Sequence, residues 1–150
     1  MKKILFELEV YPFHIDFIGH VNNNIYIQWM EIGRIKLLEA VGMPLQAISQ
    51  QGFVPVLVQT NITYKSPFYL GDRVRVEMWI SELKNASAIM QFRFYKEQET
   101  LAAEGWQKGL FVDRDTMRPR RLSPEERSLF IPYTHSTIET ESSHSLISVS

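Results

Sequence analysis

One short stretch of the chain, DFIGHVNNN, gathers an acid, a glycine, a histidine and three asparagines immediately before a run with helical spacing. Asp16 is the carboxylate of this stretch, and His20 follows four residues later. Such residues are ordinary at the start of a helix, where they cap it and form turns. They would equally suit an active site on a helix N-terminus, where a carboxylate serves as base or nucleophile and backbone N–H groups stabilise negative charge. Both interpretations are open at this point.

The element that would position this stretch is an amphipathic helix from Asn24. Its apolar positions recur every three or four residues, and they are Tyr26, Trp29, Met30, Gly33, Leu37, Ala40 and Val41. Asn22 or Asn23 can cap its start, and Gly42 followed by Pro44 ends it. About 19 residues of helix would measure roughly 28 Å, which is long for a domain of this size. We therefore expect this helix to be central.

Alternating apolar and polar residues predict five β-strands. Residues 4–11 form the first strand, and residues 54–64, 74–80, 88–94 and 101–112 form the other four. The alternation of the last strand is disturbed at Glu104, Gly105, Lys108 and Gly109. Each strand has one apolar face, which predicts an antiparallel sheet covered on one side only. The long helix is the element available to cover it, so the predicted fold class is α+β. The run Ser123-Pro124-Glu125-Glu126 predicts a final short helix with a cap, a proline and acids in its first turn.

Length and composition predict a single folded domain. Residues 1–133 are expected to form it, and residues 134–150, rich in Ser and Thr, a disordered tail. The net charge of −1 gives no electrostatic reason to expect a nucleic acid or a membrane surface as partner. No apolar stretch approaches the ~20 residues of a membrane span, and Glu7 and Glu9 interrupt the apolar N-terminus. We therefore expect a cytoplasmic protein.

The run DFIGHVNNNIYIQWMEIGR, taken with this order of elements, resembles the signature of the 4-hydroxybenzoyl-CoA thioesterase-like family. Members of that family carry an aspartate, a glycine, often His-Val-Asn-Asn, a tyrosine and a helical Glu–Arg pair at this spacing. The later ITYKSPFYLGDRVRV is similar to the family's passage from second to third strand. The resemblance covers about residues 5–122. It implies the hot-dog fold, an antiparallel sheet of about five strands wrapped around one long central helix.

The resemblance also implies an activity, the hydrolysis of an acyl-CoA thioester to free acid and CoA. Asp16 would be the general base or nucleophile, with His20 as a second catalytic candidate, and amides near Gly19 to Val21 would polarise the carbonyl. The substrate-binding candidates are Gly19, Val21, Asn22, Asn23, Tyr26 and Lys84, the last being the only cation in the turn before the fourth strand. The family further implies a homodimer or homotetramer whose active site lies between protomers.

Each of these residues also has a structural interpretation. Asp16 could pair with an arginine or cap a turn, His20 could fill a site beside the helix, and Tyr26 could belong to the core. Plant acyl-ACP thioesterases have a similar run with an asparagine two residues before the histidine, where this chain has Ile18. An acyl-ACP thioesterase, a hot-dog hydratase or dehydratase, and a non-catalytic acyl-binding module are therefore the alternative functions.

Other enzyme classes lack their motifs in this sequence. There is no Gly-x-Ser-x-Gly elbow, no P-loop and no HExxH motif. The chain has no cysteine, which excludes disulfides and thiolate zinc sites, and its four histidines form no credible metal-binding pattern. We therefore expect neither a metal nor a bound cofactor.

Overall fold

A computed structural model of the chain describes residues 1–97 and 99–136. In chain order the elements are β1 (Ile4–Glu9), helix α1 (Asn23–Ala40), helix α2 (Leu45–Gln50), β2 (Phe53–Tyr64), β3 (Arg73–Leu83), β4 (Ser87–Lys96), β5 (Thr100–Asp113) and helix α3 (Pro124–Phe130). Two 3₁₀ turns, Pro12–His14 and Ile131–Tyr133, follow β1 and α3. The predicted disordered tail lies outside the described residues from residue 137 onward.

The five strands form one antiparallel sheet in the order β1-β3-β4-β5-β2. This confirms the predicted five-stranded antiparallel sheet. The order leaves β1 and β2 at the two edges, and they differ in character. The six residues of β1 include two glutamates, whereas the twelve residues of β2 include no charged side chain.

Helix α1 packs on one face of the sheet because its apolar stripe is turned toward the strands. The buried residues of that stripe are Ile25, Tyr26, Trp29, Met30, Gly33, Leu37 and Leu38. At Gly33 the backbone comes so close that an added Cβ would lie 3.0 Å from Phe92 Cε1 and 3.2 Å from Met78 Sδ. The helix has 18 residues, one fewer than predicted, and its description as long and central is not confirmed.

The inner face of β5 is shaped for this close packing. A Cβ at Gly105 would collide with the backbone carbonyl oxygen of Asn61 on β2 and lie 3.1 Å from Met30 Cε, so a side chain here would push the neighbouring strand and the Met30 side chain away. Gln107 points to the same side and is fully buried, with 0% of its surface exposed. The strand was predicted with a disturbed alternation, and these inward glycine and glutamine positions are the cause.

On the opposite face of the sheet, Trp79 is buried under side chains from both ends of the described chain. The His135 ring stacks on it at 5.7 Å, and Lys3 Nζ lies 4.7 Å from its ring centre. The backbone N–H of His135 donates to the carbonyl of Ile80 at 2.9 Å. The packed part of the chain thus continues two residues beyond the predicted domain boundary at Tyr133.

Helix α3 begins as its sequence predicted. The Ser123 hydroxyl accepts a hydrogen bond from the Glu126 N–H at 3.1 Å, and the Glu126 carboxylate accepts from the Ser123 N–H at 2.8 Å. This reciprocal pair is a capping box. Arg120 adds a bidentate ion pair to the same carboxylate, which fixes α3 against the strand-to-helix connection.

Candidate active site

The Asp16 carboxylate is held by the backbone of its own loop. Its Oδ1 accepts hydrogen bonds from the N–H of Ile18 at 3.0 Å and from the N–H of His20 at 3.3 Å. Its Oδ2 has no hydrogen-bond partner among residues 1–97 and 99–136. One oxygen therefore fixes the orientation of the carboxylate, and the other is left to act on a ligand.

The backbone amides that were predicted to polarise a carbonyl donate hydrogen bonds to other groups of the protein. The Gly19 N–H donates to the Asp16 carbonyl at 3.1 Å, the His20 N–H to the Asp16 side chain, and the Val21 N–H to the Phe68 carbonyl at 3.0 Å. In this loop conformation all three N–H groups already have acceptors, and their role in polarising a carbonyl stays a prediction. Gly19 serves the turn instead, at φ +87°, where other residues are strained.

The two asparagines at the start of α1 have different roles. Asn22 is the N-cap, because its Oδ1 accepts from the Asn24 N–H at 3.0 Å. Asn23 is the first helical residue and is exposed, and its N–H finds no acceptor within the described part of the chain. It is the first backbone donor at the positive end of the helix dipole.

His20 contacts Asp16 with its backbone, whereas its ring packs against another residue. Its carbonyl accepts the Asp16 N–H at 2.9 Å, while its imidazole meets the edge of Tyr69 at 5.2 Å between ring centres. Lys96 Nζ lies over the same Tyr69 ring at 4.6 Å and pairs with Asp72 at 3.4 Å. No local pattern predicts this cation near His20, because Lys96 is 76 residues away along the chain and only the sheet brings it there.

Tyr26 belongs to an aromatic cluster at the start of α1. Its ring lies 5.4 Å from Trp29, 5.0 Å from Tyr64 and 5.4 Å from Phe94. Burial, with a smaller contribution from Tyr64, raises the pKa of Tyr26 well above its ordinary value, so the phenol stays protonated. Its predicted contact with an acyl group stays a prediction.

His14 lies on the β1 side of the same loop, where its surroundings favour the neutral imidazole. Its Nδ1 accepts the Tyr11 N–H at 2.9 Å, and its ring packs against Phe13 and Trp29. Burial lowers the pKa of His14 below its ordinary value of 6.5. Protonation would cost this hydrogen bond, because a doubly protonated imidazole cannot accept.

Lys84 lies far from Asp16 in the same chain. The Asp16 loop is attached to the beginning of β3, since the Val10 N–H donates to the Asp72 carbonyl at 3.0 Å. Lys84 follows the other end of β3, about 33 Å away at ~3.3 Å per residue. Its ammonium pairs with Glu82 at 3.3 Å. The two predicted site residues therefore do not meet within one protomer.

A large apolar cavity lies between α1 and the sheet. We call it the helix–sheet cavity; its volume is about 430 Å³, and its walls come from α1, α2, β2, β3, β4, β5 and α3. Pro55 and Leu57 line it from the edge strand, and Ile80 and Phe130 from the far side. A cavity of this size and polarity suits an apolar ligand.

Three polar residues, Glu31, Arg34 and Ser87, interrupt the apolar wall of the helix–sheet cavity, and Arg34 is bonded to the sheet. Arg34 NH1 donates to Gln107 Oε1 at 2.6 Å, and Gln107 Nε2 donates to Thr60 Oγ1 at 3.1 Å. Burial lowers the pKa of Arg34, and the nearby Glu31 opposes that shift. Arg34 is half-buried and bonded to the sheet.

The basic cluster near the C-terminal end of the domain is only partly available to a ligand. Arg120 is tied to Glu126 and lies 3.8 Å over the Phe53 ring, while Arg118 and Arg121 are exposed. Within residues 1–97 and 99–136 no three histidine or acidic side chains gather into a metal-binding group. None of the described helices is long and apolar enough to cross a membrane.

The sequence is similar to sequences of known proteins. The family model described as the thioesterase-like superfamily matches residues 10–130. YneP of Bacillus subtilis (strain 168), named as a candidate acyl-CoA thioesterase, is 26% identical over 113 residues, which are 75% of this chain and 82% of YneP. The chloroplastic acyl-acyl carrier protein thioesterase ATL3 of Arabidopsis thaliana is 28% identical over 130 residues, which are 85% of this chain and 67% of ATL3.

The fold is similar to solved structures as well. A DHNA-CoA thioesterase from Staphylococcus aureus superposes with a TM-score of 0.82 at 21% identity, over 88% of this chain and 91% of that one. At this level of identity the likeness shows the fold alone.

Proposed function

Because this chain belongs to the thioesterase-like superfamily, we propose that it is a hot-dog acyl-CoA thioesterase, which hydrolyses an acyl thioester to the free acid and CoA. The observation that carries the proposal is the Asp16 carboxylate at the N-terminus of α1. Its Oδ1 is fixed by two loop amides and its Oδ2 is unbonded among the described residues. A carboxylate oriented in this way is ready to act on water or on a thioester carbonyl.

In the proposed reaction Asp16 Oδ2 takes a proton from water as the water oxygen bonds to the carbonyl carbon. The resulting oxyanion lies at the positive end of α1, where the Asn23 N–H donates to it in place of the loop N–H groups, which already have acceptors. Collapse of the tetrahedral intermediate breaks the C–S bond, and the CoA thiolate accepts the proton. The alternative route, in which Asp16 attacks directly and forms an anhydride, uses the same oxygen.

The proposed active site is shared between two protomers that pair along β2. A twelve-residue edge strand without charges, with Val58 55% and Tyr64 44% exposed, is the kind of edge that pairs with another chain. The other edge, β1, is short and carries Glu7 and Glu9 in ion pairs with Arg73. A homodimer built on β2 is therefore favoured, and a tetramer would need a second interface.

Pairing along β2 would bring Asp16 to the helix–sheet cavity of the partner. The cavity is lined by the beginning of β2, at Pro55 and Leu57, while the end of β2, at Tyr64, contacts Tyr26 beside the Asp16 loop. Within one chain these ends are about 23 Å apart, at ~3.3 Å per residue from Leu57 to Tyr64. Two-fold antiparallel pairing sets the beginning of one strand against the end of the other.

The test is thiol release from a panel of acyl-CoAs by wild type, Asp16→Asn and Asp113→Asn. Asn keeps the Oδ1 acceptor that holds the loop but cannot act as base or nucleophile. Asp113 is the matched control, since its Oδ1 accepts from the Asp115 and Thr116 N–H groups at 2.9 Å in the same kind of turn. We expect Asp16→Asn to lose at least ~10²-fold in kcat, the scale of general-base catalysis, and Asp113→Asn to keep full activity.

Three outcomes would redirect the proposal. Equal turnover by folded Asp16→Asn would make Asp16 structural and refute the mechanism. Turnover of acyl-ACP but of no acyl-CoA would favour the carrier-protein thioesterase. Hydration of an enoyl-CoA without thiol release would favour the hydratase that uses His20.

A further inference from the structure

The helix–sheet cavity has a closed end and an open end, which gives it a direction. At the open end Leu45 and Leu57 are 41% and 40% exposed, and at the other end Ile80 and Phe130 are 1% and 4% exposed. The cavity runs from β2 beneath β5 and β4 to β3, which are successive neighbours in the sheet. It is therefore a blind channel that begins at the edge strand.

The floor of this channel is kept open by two small residues. Gly109 on β5 and Ala88 on β4 are direct cross-strand partners, and both line the cavity. A Cβ at position 109 would lie 3.2 Å from Met90 Cε. A larger side chain at either position would project into the channel, at successive depths from the open end.

From these dimensions we infer that the helix–sheet cavity is a channel for a linear, saturated acyl chain of about 12 to 14 carbons. Three strand spacings of ~4.8 Å make its length about 14 Å. That is eleven C–C bonds at about 1.25 Å each, the projection of a 1.52 Å bond at a tetrahedral angle. The volume gives a matching chain length. A cavity of 430 Å³ holds about fourteen methylene groups, if each takes ~30 Å³, the volume that one molecule occupies in liquid water.

An aromatic acyl group fits this channel less well. A benzoyl group has seven carbons and would fill about half of the volume at ~30 Å³ per group, leaving the deep end at Ile80 and Phe130 empty. Apolar surface left without contacts costs binding energy. The inference rests on the proposed thioesterase function for its reaction, but the channel itself can be tested by binding alone.

The strand spacing predicts a graded effect of two substitutions. Gly109→Val obstructs the channel one strand from the edge, about 5 Å deep, and is expected to move the best substrate to butanoyl- or hexanoyl-CoA. Ala88→Leu obstructs it two strands in, about 10 Å deep, and is expected to move the best substrate to octanoyl-CoA. Lys108→Leu is the control, because residue 108 alternates with Gly109 and faces the other side of β5.

The experiment measures kcat/KM for straight-chain acyl-CoAs from C4 to C16 and for benzoyl-CoA, with thermal melts to establish folding. Wild type and Lys108→Leu should prefer C12–C14. Each channel variant should lose at least ~10-fold on dodecanoyl-CoA, the discrimination a hydrophobic pocket achieves, while keeping its rate on butanoyl-CoA. Faster wild-type turnover of benzoyl-CoA than of dodecanoyl-CoA, or variants that lower all chain lengths equally, would overturn the inference.

A separate binding measurement distinguishes failure of the channel from failure of the enzymatic proposal. Calorimetric titration with dodecanoate and with benzoate needs no turnover. If no thioester is hydrolysed but dodecanoate binds to wild type and not to Ala88→Leu, the channel stands and the thioesterase proposal fails. If dodecanoate binds to wild type and Ala88→Leu alike, or to neither, the channel assignment is wrong whatever the activity.

Discussion

Replacing Gln107 by leucine should destabilise the protein, because Gln107 connects a half-buried guanidinium to the sheet. Gln107 is fully buried, accepts from Arg34 NH1 at 2.6 Å and donates to Thr60 Oγ1 at 3.1 Å. Leucine has a similar size but makes neither bond. A hydrogen bond to a charged group contributes about 1.5–3 kcal/mol and a neutral one about 1 kcal/mol. The apolar side chain recovers ~1 kcal/mol of this by its own burial.

The expected loss is therefore about 1.5–3 kcal/mol of unfolding free energy. For a chain of this size each kcal/mol shifts Tm by roughly 2–4 °C, so Tm should fall by about 3–12 °C. Urea unfolding followed by fluorescence of the three tryptophans measures the free energy. Thr60→Val is the matched control, since it removes only the neutral bond and should cost about 1 kcal/mol.

A double-mutant cycle separates the ion-assisted bond from simple packing. Arg34→Met together with Gln107→Leu removes both partners, and matched apolar replacement of a buried polar pair is often close to neutral. The double variant should thus be more stable than the sum of the single losses predicts, by ~1 kcal/mol or more. Additive losses, or a Gln107→Leu variant within ~0.5 kcal/mol of wild type, would refute the view that Arg34 depends on Gln107.

Two further predictions concern the edge strand and the loop. Val58→Lys places a charge on the exposed β2 edge and should give a folded monomer with little activity. Size-exclusion chromatography measures the oligomeric state and thiol release measures the activity. An active dimer would contradict pairing along β2. The His14 pKa is lowered in the folded state, so the unfolded chain binds more protons and stability falls as the pH drops through 6.5. His14→Asn, which keeps an acceptor but does not titrate, should flatten this loss in urea titrations between pH 7 and pH 5; equal pH dependence in both proteins would contradict it.

The elements could be predicted because their signals are local. The alternation of β3 and β4 and the capping box at Ser123 depend on residues close in sequence, and the structure confirms them. The disturbance in β5 could not be interpreted from sequence. Gln107 reads as a polar interruption until the fold brings Arg34 and Thr60 to it from 73 and 47 residues away.

The candidate site was predictable in its residue types but not in its hydrogen bonds. Asp16, Asn22 and the start of α1 follow from local patterns. The engagement of the Val21 amide by the Phe68 carbonyl does not, because it depends on the loop between β2 and β3. The length of β3 sets Lys84 and Asp16 at opposite ends of the sheet within one chain. The role of Lys84 in substrate binding therefore stays a prediction, for a site shared between protomers.

The feature with the greatest consequence for the proposed function is strand β2. β2 has twelve residues without a charge and one unpaired edge, with its beginning at the mouth of an apolar channel and its end beside Asp16. Within one chain the mouth of the channel and the proposed base are about 23 Å apart, at ~3.3 Å per residue from Leu57 to Tyr64. The two-fold pairing that we propose along this edge would bring the Asp16 of each protomer to the channel of its partner. Under this proposal the absence of charge in β2 serves the reaction, because a lysine on this edge would prevent the pairing and keep Asp16 away from the channel.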